Sequence, residues 1–404
     1  MSQELDYLSL RVAAGRLSRR EFLGRAAALG VSAAFANSLL AGAAKAQVPQ
    51  RGGILKAGLQ GGAATDSLDP GAFSASVAIA FSKCWGELLM ELTPDGGVEN
   101  RLAEEVGSSK DAKTWTMKIR KGVEFHNGKT VTAEDVVATL ERHSDAKSKS
   151  GALGLLGTID TIKANGDEVV VTLKGGNADF PYMMTDYHLV IQPNGGKDDP
   201  AAGIGAGPYK VTVNEPGVRH GGERFKNYWQ GDKRGHADQI EITVINDATA
   251  RISALRSNQV HMIDRVEPKV VDLVKRIPGV TVQNVSGRGY YCFNMFCDTP
   301  PFDNNDLRMA LKLAMDREQM LDYQKSGHSG PILLRTSDVA FPGAVDAAQL
   351  YQQSCTKAGI TIEVKREPSD GYWSEVWLKQ PFATSFWTGR ATQDQAYSVA
   401  YLST

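Results

Sequence analysis

The sequence predicts an α/β fold of mixed-sheet lobes with one extra small α+β domain. Three observations lead there. At 404 residues the chain is too long for one simple core, so two or three domains are expected. Residues 240–244, 248–257 and 260–263 read strand, helix, strand, which suggests a mixed sheet with right-handed crossovers. Residues 332–387 read β-α-β-α-β, the order of an open α/β sheet.

The first 46 residues stand apart. Ser18-Arg19-Arg20-Glu21-Phe22-Leu23 resembles a twin-arginine export pattern, a weakly apolar run covers 26–44, and Ala44-Lys45-Ala46 supplies a small-x-small cleavage site. The run is rich in Ala and Gly and broken by Ser32, Asn37 and Ser38, which argues against a membrane-spanning helix. The expectation is a periplasmic protein exported folded by the twin-arginine machinery, with cleavage near Ala46. This segment carries six basic and three acidic residues, so the remainder is slightly acidic. Such a surface offers no field for nucleic acid. Hydrophobic content of 42% and charged content of 23% are those of an ordinary soluble chain. Cys84, Cys292, Cys297 and Cys355 allow three pairings, none within a CxxC, and buried or free thiols are favoured over a disulfide framework. The seven His are scattered, with no HxxxH, so no metal site and no cofactor is expected.

In chain order, residues 51–59 read as a first strand, ending in the small-residue loop Gln60-Gly61-Gly62-Ala63. Small residues let backbone N–H groups approach a ligand, although the loop reads equally well as a plain turn. Residues 77–89 look helical and contain Trp85. In residues 113–142, Trp115, Met117 and Ile119 alternate with polar residues, as in a half-buried strand. Lys121-Gly122 turns the chain, and Val123 and Phe125 resume the alternation. Asn127-Gly128 marks a tight turn, and Thr132 with Asp135 forms a capping box opening a helix. Residues 144–154 read as a surface loop and 169–173 as a strand. Gly205-Ala206-Gly207-Pro208-Tyr209 reads as a bend in a crossing strand, and Asn258 as a helix stop in the left-handed conformation. Residues 306–322 form a helix with an apolar stripe from Leu307 to Met315, and 371–378 a later helix.

The spacing from Thr116 through Phe125-His126 and Gly128 to Val136 resembles the signature of the family 5 extracellular solute-binding proteins, the peptide-, opine- and nickel-binding receptors of bacterial ABC importers. Ordered landmarks extend the resemblance from about Gly52 to Ser398. They include Gly53-x-Leu55, Leu68-Asp69-Pro70, Gly205-x-Gly207-Pro208-Tyr209 and Tyr290-Tyr291-Cys292-Phe293-Asn294. It implies a type II periplasmic-binding-protein-like fold around a ligand cleft. The implied division is a lobe I of 47–90 and 201–285, an inserted α+β domain of 91–200, and a lobe III of 286–404. Against the family pattern, the connection at 323–331 is short and the chain stops at Thr404, so lobe III reads as incomplete and Phe382–Trp387 as a strand with an uncovered edge.

The resemblance also implies a function. The chain is expected to capture a peptide-like or other small polar solute and deliver it to an inner-membrane permease, without a catalytic step. The candidate ligand residues are Gln60, Gly61, Gly62, Ala63, Trp85, Tyr290, Tyr291, Asn294, Trp387 and Arg390. In the peptide-binding branch an Asp follows Trp-x-Gly and pairs with an ammonium group. Here Trp387-Thr388-Gly389 is followed by Arg390, which implies an anionic group on the solute. The alternative for Arg390 is a solvated side chain or a pair with Asp394. A remnant without binding activity and a periplasmic enzyme are the competing functions. No GxSxG, HExxH, CxxCH or Rossmann glycine run favours the enzyme.

Overall fold

The computed structural model describes residues 8, 12, 18–29, 49–94, 96–231, 233–285, 289–313, 330–357, 359–387 and 389. The contacts divide the chain into two units, Met1–Gly53 with His236–Asp238, and the rest. In the first unit, α1 (Arg19–Ala28) opens on a capping box in which Ser18 and Glu21 bond each other's backbone N–H. Phe22 and Ala26 on α1 are buried with Leu8. Arg19 and Arg20 thus begin a helix, and Ala44-Lys45-Ala46 lies outside the described residues. No helix among the described residues is long and apolar enough to cross a membrane.

The second unit holds three main sheets and a two-stranded ribbon, β2 (Met90–Leu92) with β3 (Val98–Asn100). In the first sheet, β1 (Ile54–Leu59) lies between β10 (Gln239–Val244) and β11 (Met262–Ile263), parallel to both, and β9 (Arg219–Arg224) and β8 (Tyr209–Glu215) continue it antiparallel beyond β10. The expected mixed sheet is therefore present. Between β10 and β11 runs α3 (Ala248–Arg256), started by Asp247, whose carboxylate accepts the Ala250 N–H. It is followed by Asn258 at φ +58°, the left-handed stop expected there. Its buried side chains are Arg251 and Ala254, so the face turned to the sheet carries a cation. The Arg251 guanidinium donates to the carbonyls of Ile245, Asn246, Asp264 and Arg265, and so ties together the carboxyl ends of β10 and β11.

The second sheet is antiparallel, in the order β4 (Ala103–Ser108), β5 (Thr114–Ile119), β7 (Glu168–Leu173), β6 (Ile159–Asn165). Trp115, Met117 and Ile119 are buried as the alternation required, and Trp115 and Met117 oppose Val171 and Val169 across the ladder. A helix, α2 (Ala133–Ser144), covers this core with Val136 and Leu140, and the Thr132–Asp135 capping box is formed. Val123 and Phe125 are buried as the alternation predicts, but the pairing there is a single bridge, Glu124 to Thr130. Gly128 alone takes positive φ in the Asn127-Gly128 turn, while Asn127 Oδ1 accepts the Lys129 N–H.

The third sheet has the order β12 (Tyr290–Met295), β15 (Phe382–Trp387), β13 (Ile332–Thr336), β14 (Ile362–Arg366). Strands β15, β13 and β14 are parallel and β12 is antiparallel to β15. This corrects one expectation. Phe382–Trp387 has a neighbour on each side, because Tyr290–Met295, read as a landmark rather than as its partner, pairs with all six of its residues. The described edges are β12 and β14. Helices α4 (Asn305–Leu313) and α5 (Ala344–Lys357) cover one face, burying Leu307, Leu311, Tyr351 and Cys355 against Ile332, Leu334 and Phe382. Gly359 follows α5 at φ +78°, as a helix stop requires. The helix read over 371–378 is shorter, a single π-helical turn at Tyr372–Val376. The apolar stripe beyond Leu313 and the residues after Gly389 lie outside the described residues.

Candidate functional site

Two sheets present the carboxyl ends of parallel strands to one seam. On the first sheet, Gln60–Ala63 follows β1 and Asp264-Arg265 follows β11. On the third, Asp338–Phe341 follows β13 and Asp370 lies beyond β14. Open α/β sheets bind ligands beyond such ends.

The loop after β1 is the centre of the seam. Gln60 is 4% exposed. Its N–H donates to Asp264 Oδ1 at 3.0 Å, and its Nε2 crosses the seam to the Asp338 carbonyl at 2.8 Å. The Gly61 N–H donates to Asn246 Oδ1 at 2.8 Å, and Asn246 Nδ2 returns a bond to the Gly62 carbonyl at 3.0 Å. Gly62 presses on β10, where an added Cβ would meet the Val244 methyls at 2.7 and 2.9 Å. The Ala63 N–H donates to Asp66 Oδ2 at 2.9 Å, and the Ala64 N–H donates across the seam to Asp370 Oδ1 at 3.1 Å. The small residues do permit close approach, but what approaches the amides of Gln60, Gly61, Ala63 and Ala64 is protein side chains.

Sequence reasoning missed Arg265. It sits in the left-handed region at φ +48°, with its guanidinium 4.4 Å from the centroid of Phe386. Nη2 donates to Ser76 Oγ at 2.7 Å, and Nη1 reaches over the seam to the Val339 carbonyl at 3.2 Å. Burial pulls its pKa down, opposed by the Asp264 carboxylate. The signal that could have found it is its place directly after a strand parallel to β1.

Of the other candidates, Tyr291 is 62% exposed and stacks on Phe341 with ring centroids 4.5 Å apart. Tyr290 opposes Trp387 in the ladder. Asn294 lies an odd number of residues from Tyr291, so its side chain leaves the strand on the other face, where Nδ2 donates to Ser385 Oγ. Trp387 packs edge-on against Trp377 at 5.3 Å, Trp377 against Trp373 at 6.0 Å, and Trp373 against Phe386 at 5.5 Å. Among the described residues, the buried indole N–H groups of Trp373 and Trp387 meet no hydrogen-bond partner. Arg390 lies outside the described residues.

Trp85 is placed in the core instead, 0% exposed. Its carbonyl accepts the Gly207 N–H at 2.9 Å, and a Cβ at Gly205 would come within 2.5 Å of that same oxygen. The glycines of the Gly-x-Gly-Pro-Tyr run are thus needed for backbone approach to Trp85. Tyr291 also borders an apolar concavity of about 850 Å³ between α4, α5 and β12. Among the described residues no cluster of three or more His, Cys, Asp or Glu could hold a metal, and the four cysteines are free.

Comparison with known proteins adds relatives to this geometry. The description "Bacterial extracellular solute-binding proteins, family 5 Middle" matches residues 97–333. The chain is 24% identical over 349 residues to the glutathione-binding protein GsiB of Pectobacterium atrosepticum, covering 84% of this chain and 66% of that one. It is 26% identical over 299 residues to the oligopeptide-binding protein OppA of Bacillus subtilis, covering 66% of this chain and 54% of that one. The chain therefore spans about half to two thirds of the curated relatives it matches. Among solved structures, DppA from Helicobacter pylori in complex with the peptide STSA superposes with TM-score 0.75 at 19% identity, covering 88% of this chain and 82% of that one. AgaA in complex with agropinic acid gives TM-score 0.75 at 21% identity, covering 87% and 80%.

Proposed function

Because the chain belongs to family 5 of the bacterial extracellular solute-binding proteins and has their type II periplasmic-binding fold, we propose that it captures a small polar solute in the seam between its first and third sheets and delivers it to an ABC permease. The observation that carries the reading is the meeting of two sets of parallel-strand carboxyl ends at Gln60–Ala64, Asp264-Arg265, Asp338 and Asp370. Lobe I is 47–90 and 201–285, the inserted domain 91–200, and lobe III 286–404. Capture proceeds by closure of lobe I against lobe III. The first 46 residues direct export by the twin-arginine route to the periplasm and are removed near Ala46.

The solute is peptide-like or opine-like and carries an anionic group. Arg390 is its anchor, with Arg265 the cation that already stands in the seam. A planar part of the solute stacks beside Trp387 and Tyr291, and the unpartnered indole N–H groups supply donors in an apolar surround. Arg265 supports an anion because, among the described residues, its guanidinium donates to two neutral acceptors, Ser76 Oγ and the Val339 carbonyl, with Asp264 at 3.8 Å.

Mass spectrometry of solutes that co-purify with the exported protein identifies the ligand, and calorimetry on the stripped protein measures its affinity. Arg390→Asp and Arg265→Ala should each weaken binding at least tenfold. A native solute bound with unchanged affinity by Arg390→Asp removes that residue as the anchor. A protein that retains no solute, and whose melting no peptide or opine shifts, overturns the binding reading.

A further inference from the structure

Asp66 and Asp370 come together where the loop after β1 meets the third sheet. They accept hydrogen bonds from consecutive amides, Ala63 to Asp66 and Ala64 to Asp370. Asp66 belongs to the first sheet's loop, and Asp370 to the loop between β14 and the Tyr372–Val376 turn. The Ala64–Asp370 bond of this pair crosses the seam.

The surrounding charges do not neutralise it. On the turn that packs against Ala63 and Ala64 at Gly217, Glu215 and Arg219 pair with each other. Glu367, in the same loop as Asp370, is held by Arg335 and Lys365. Asp264, beside Gln60, faces Arg251 and Arg265, and Asp338 pairs with Arg366. Burial pushes the Asp66 carboxyl up to about 6, the Ala63 N–H opposes this, and the Asp370 charge adds to the rise.

We propose that shutting the seam takes up one proton from solvent at the Asp66–Asp370 pair, so that mild acid favours the closed cleft and neutral pH favours release. The inference rests on the solute-capture reading above and names a regulation of that same site. In the shut seam the Asp66 carboxyl carries the proton, and the Asp370 charge beside it favours that state. Opening takes the Asp370 charge away from Asp66 and so favours loss of the proton. The sign follows from the raised value. Between about pH 4 and 6 the closed state binds more protons than the open one, and its advantage disappears as pH rises through 6. From pH 7.5 to 5 the closed-to-open ratio should rise, by about tenfold at most, the value reached when the open cleft solvates Asp66 fully.

Small-angle scattering of the solute-free chain across pH 5–7.5 reads closure without any ligand, with circular dichroism at each pH to verify folding. The wild type should become more compact as pH falls below about 6 toward 5. Asp66→Asn resembles the protonated carboxyl, keeps an acceptor for Ala63 and gains a donor toward Asp370. It should stay compact to pH 7.5. Asp370→Asn should shift the midpoint downward. A wild-type radius that does not change with pH overturns the proposal, as does an Asp66→Asn protein with the wild-type midpoint. If no solute binds but the radius still follows pH in this way, the proton link stands and the capture reading alone fails.

Discussion

Gly62 offers a quantitative test of how rigidly the loop after β1 is held. Its φ lies outside the left-handed region, so Gly62→Ala probes contact and not backbone strain. The new methyl would lie 2.7 and 2.9 Å from the two Val244 methyls. Ordinary carbon contacts are about 3.5–4.0 Å, so an overlap of roughly 1 Å must be relieved. The loop cannot simply lift away, because Asn246 holds Gly61 and Gly62 from both sides. Overpacking of this kind costs about 1–3 kcal/mol. Val244→Ala alone removes two half-buried carbons and should cost about 1 kcal/mol. It also removes the atoms that clash, so the double variant should be more stable than additivity predicts by about 1–2 kcal/mol. Urea unfolding of the four proteins with a common m-value measures this coupling. Effects that add to within about 0.5 kcal/mol would refute the packing argument. The same variants bear on the site, because Gly62→Ala should weaken solute retention and Val244→Ala should restore part of it.

Two further outcomes are expected. Glu87 accepts from Arg101 Nη2 at 2.6 Å, from the Tyr228 hydroxyl at 3.0 Å and from Trp229 Nε1 at 3.3 Å, all in a buried cluster; Glu87→Ala should cost about 3 kcal/mol by denaturant unfolding, the low end for a broken buried pair because Glu91 stays 3.5 Å from Arg101, and a cost below about 1 kcal/mol would show the cluster to be dispensable. Burial lowers the His143 pKa to about 4, with the Arg142 charge assisting. The unfolded chain therefore binds more protons between about pH 6.5 and 4, and stability should fall as pH drops through that window, by up to about 3 kcal/mol from this group. His143→Gln should flatten that stretch of the stability–pH curve, and an unchanged slope would assign it to other groups.

Local chemistry makes much of this protein legible in the sequence alone. A capping box needs only Thr132 and Asp135 at the right spacing, and it formed. Asn258 stops its helix because the side chain tolerates positive φ, a property of one residue and its neighbours. Alternation placed Trp115, Met117 and Ile119 in a core because a strand has no other way to bury every second side chain. Where the local pattern was ambiguous, the reading faltered. The helix read over 371–378 shortens to one π-helical turn, and the helix read over 248–257 buries Arg251, which serves four carbonyls.

Tertiary structure decided which landmark residues share a site. Trp85 and Gln60 both resembled cleft residues, yet one is sealed behind Gly205 and Gly207 while the other bonds across the seam. Nothing within a few residues of either distinguishes them, because the difference lies in what packs from more than a hundred positions away. Arg265 and the Asp66–Asp370 pair were invisible for the same reason. Asp66 and Asp370 are brought together by two sheets meeting at their strand ends, and a charge pair separated by some three hundred residues leaves no periodicity or spacing in the sequence. The identity of each side chain was written locally, but its partner, its burial and therefore its ionisation were set by the packing of the two sheets.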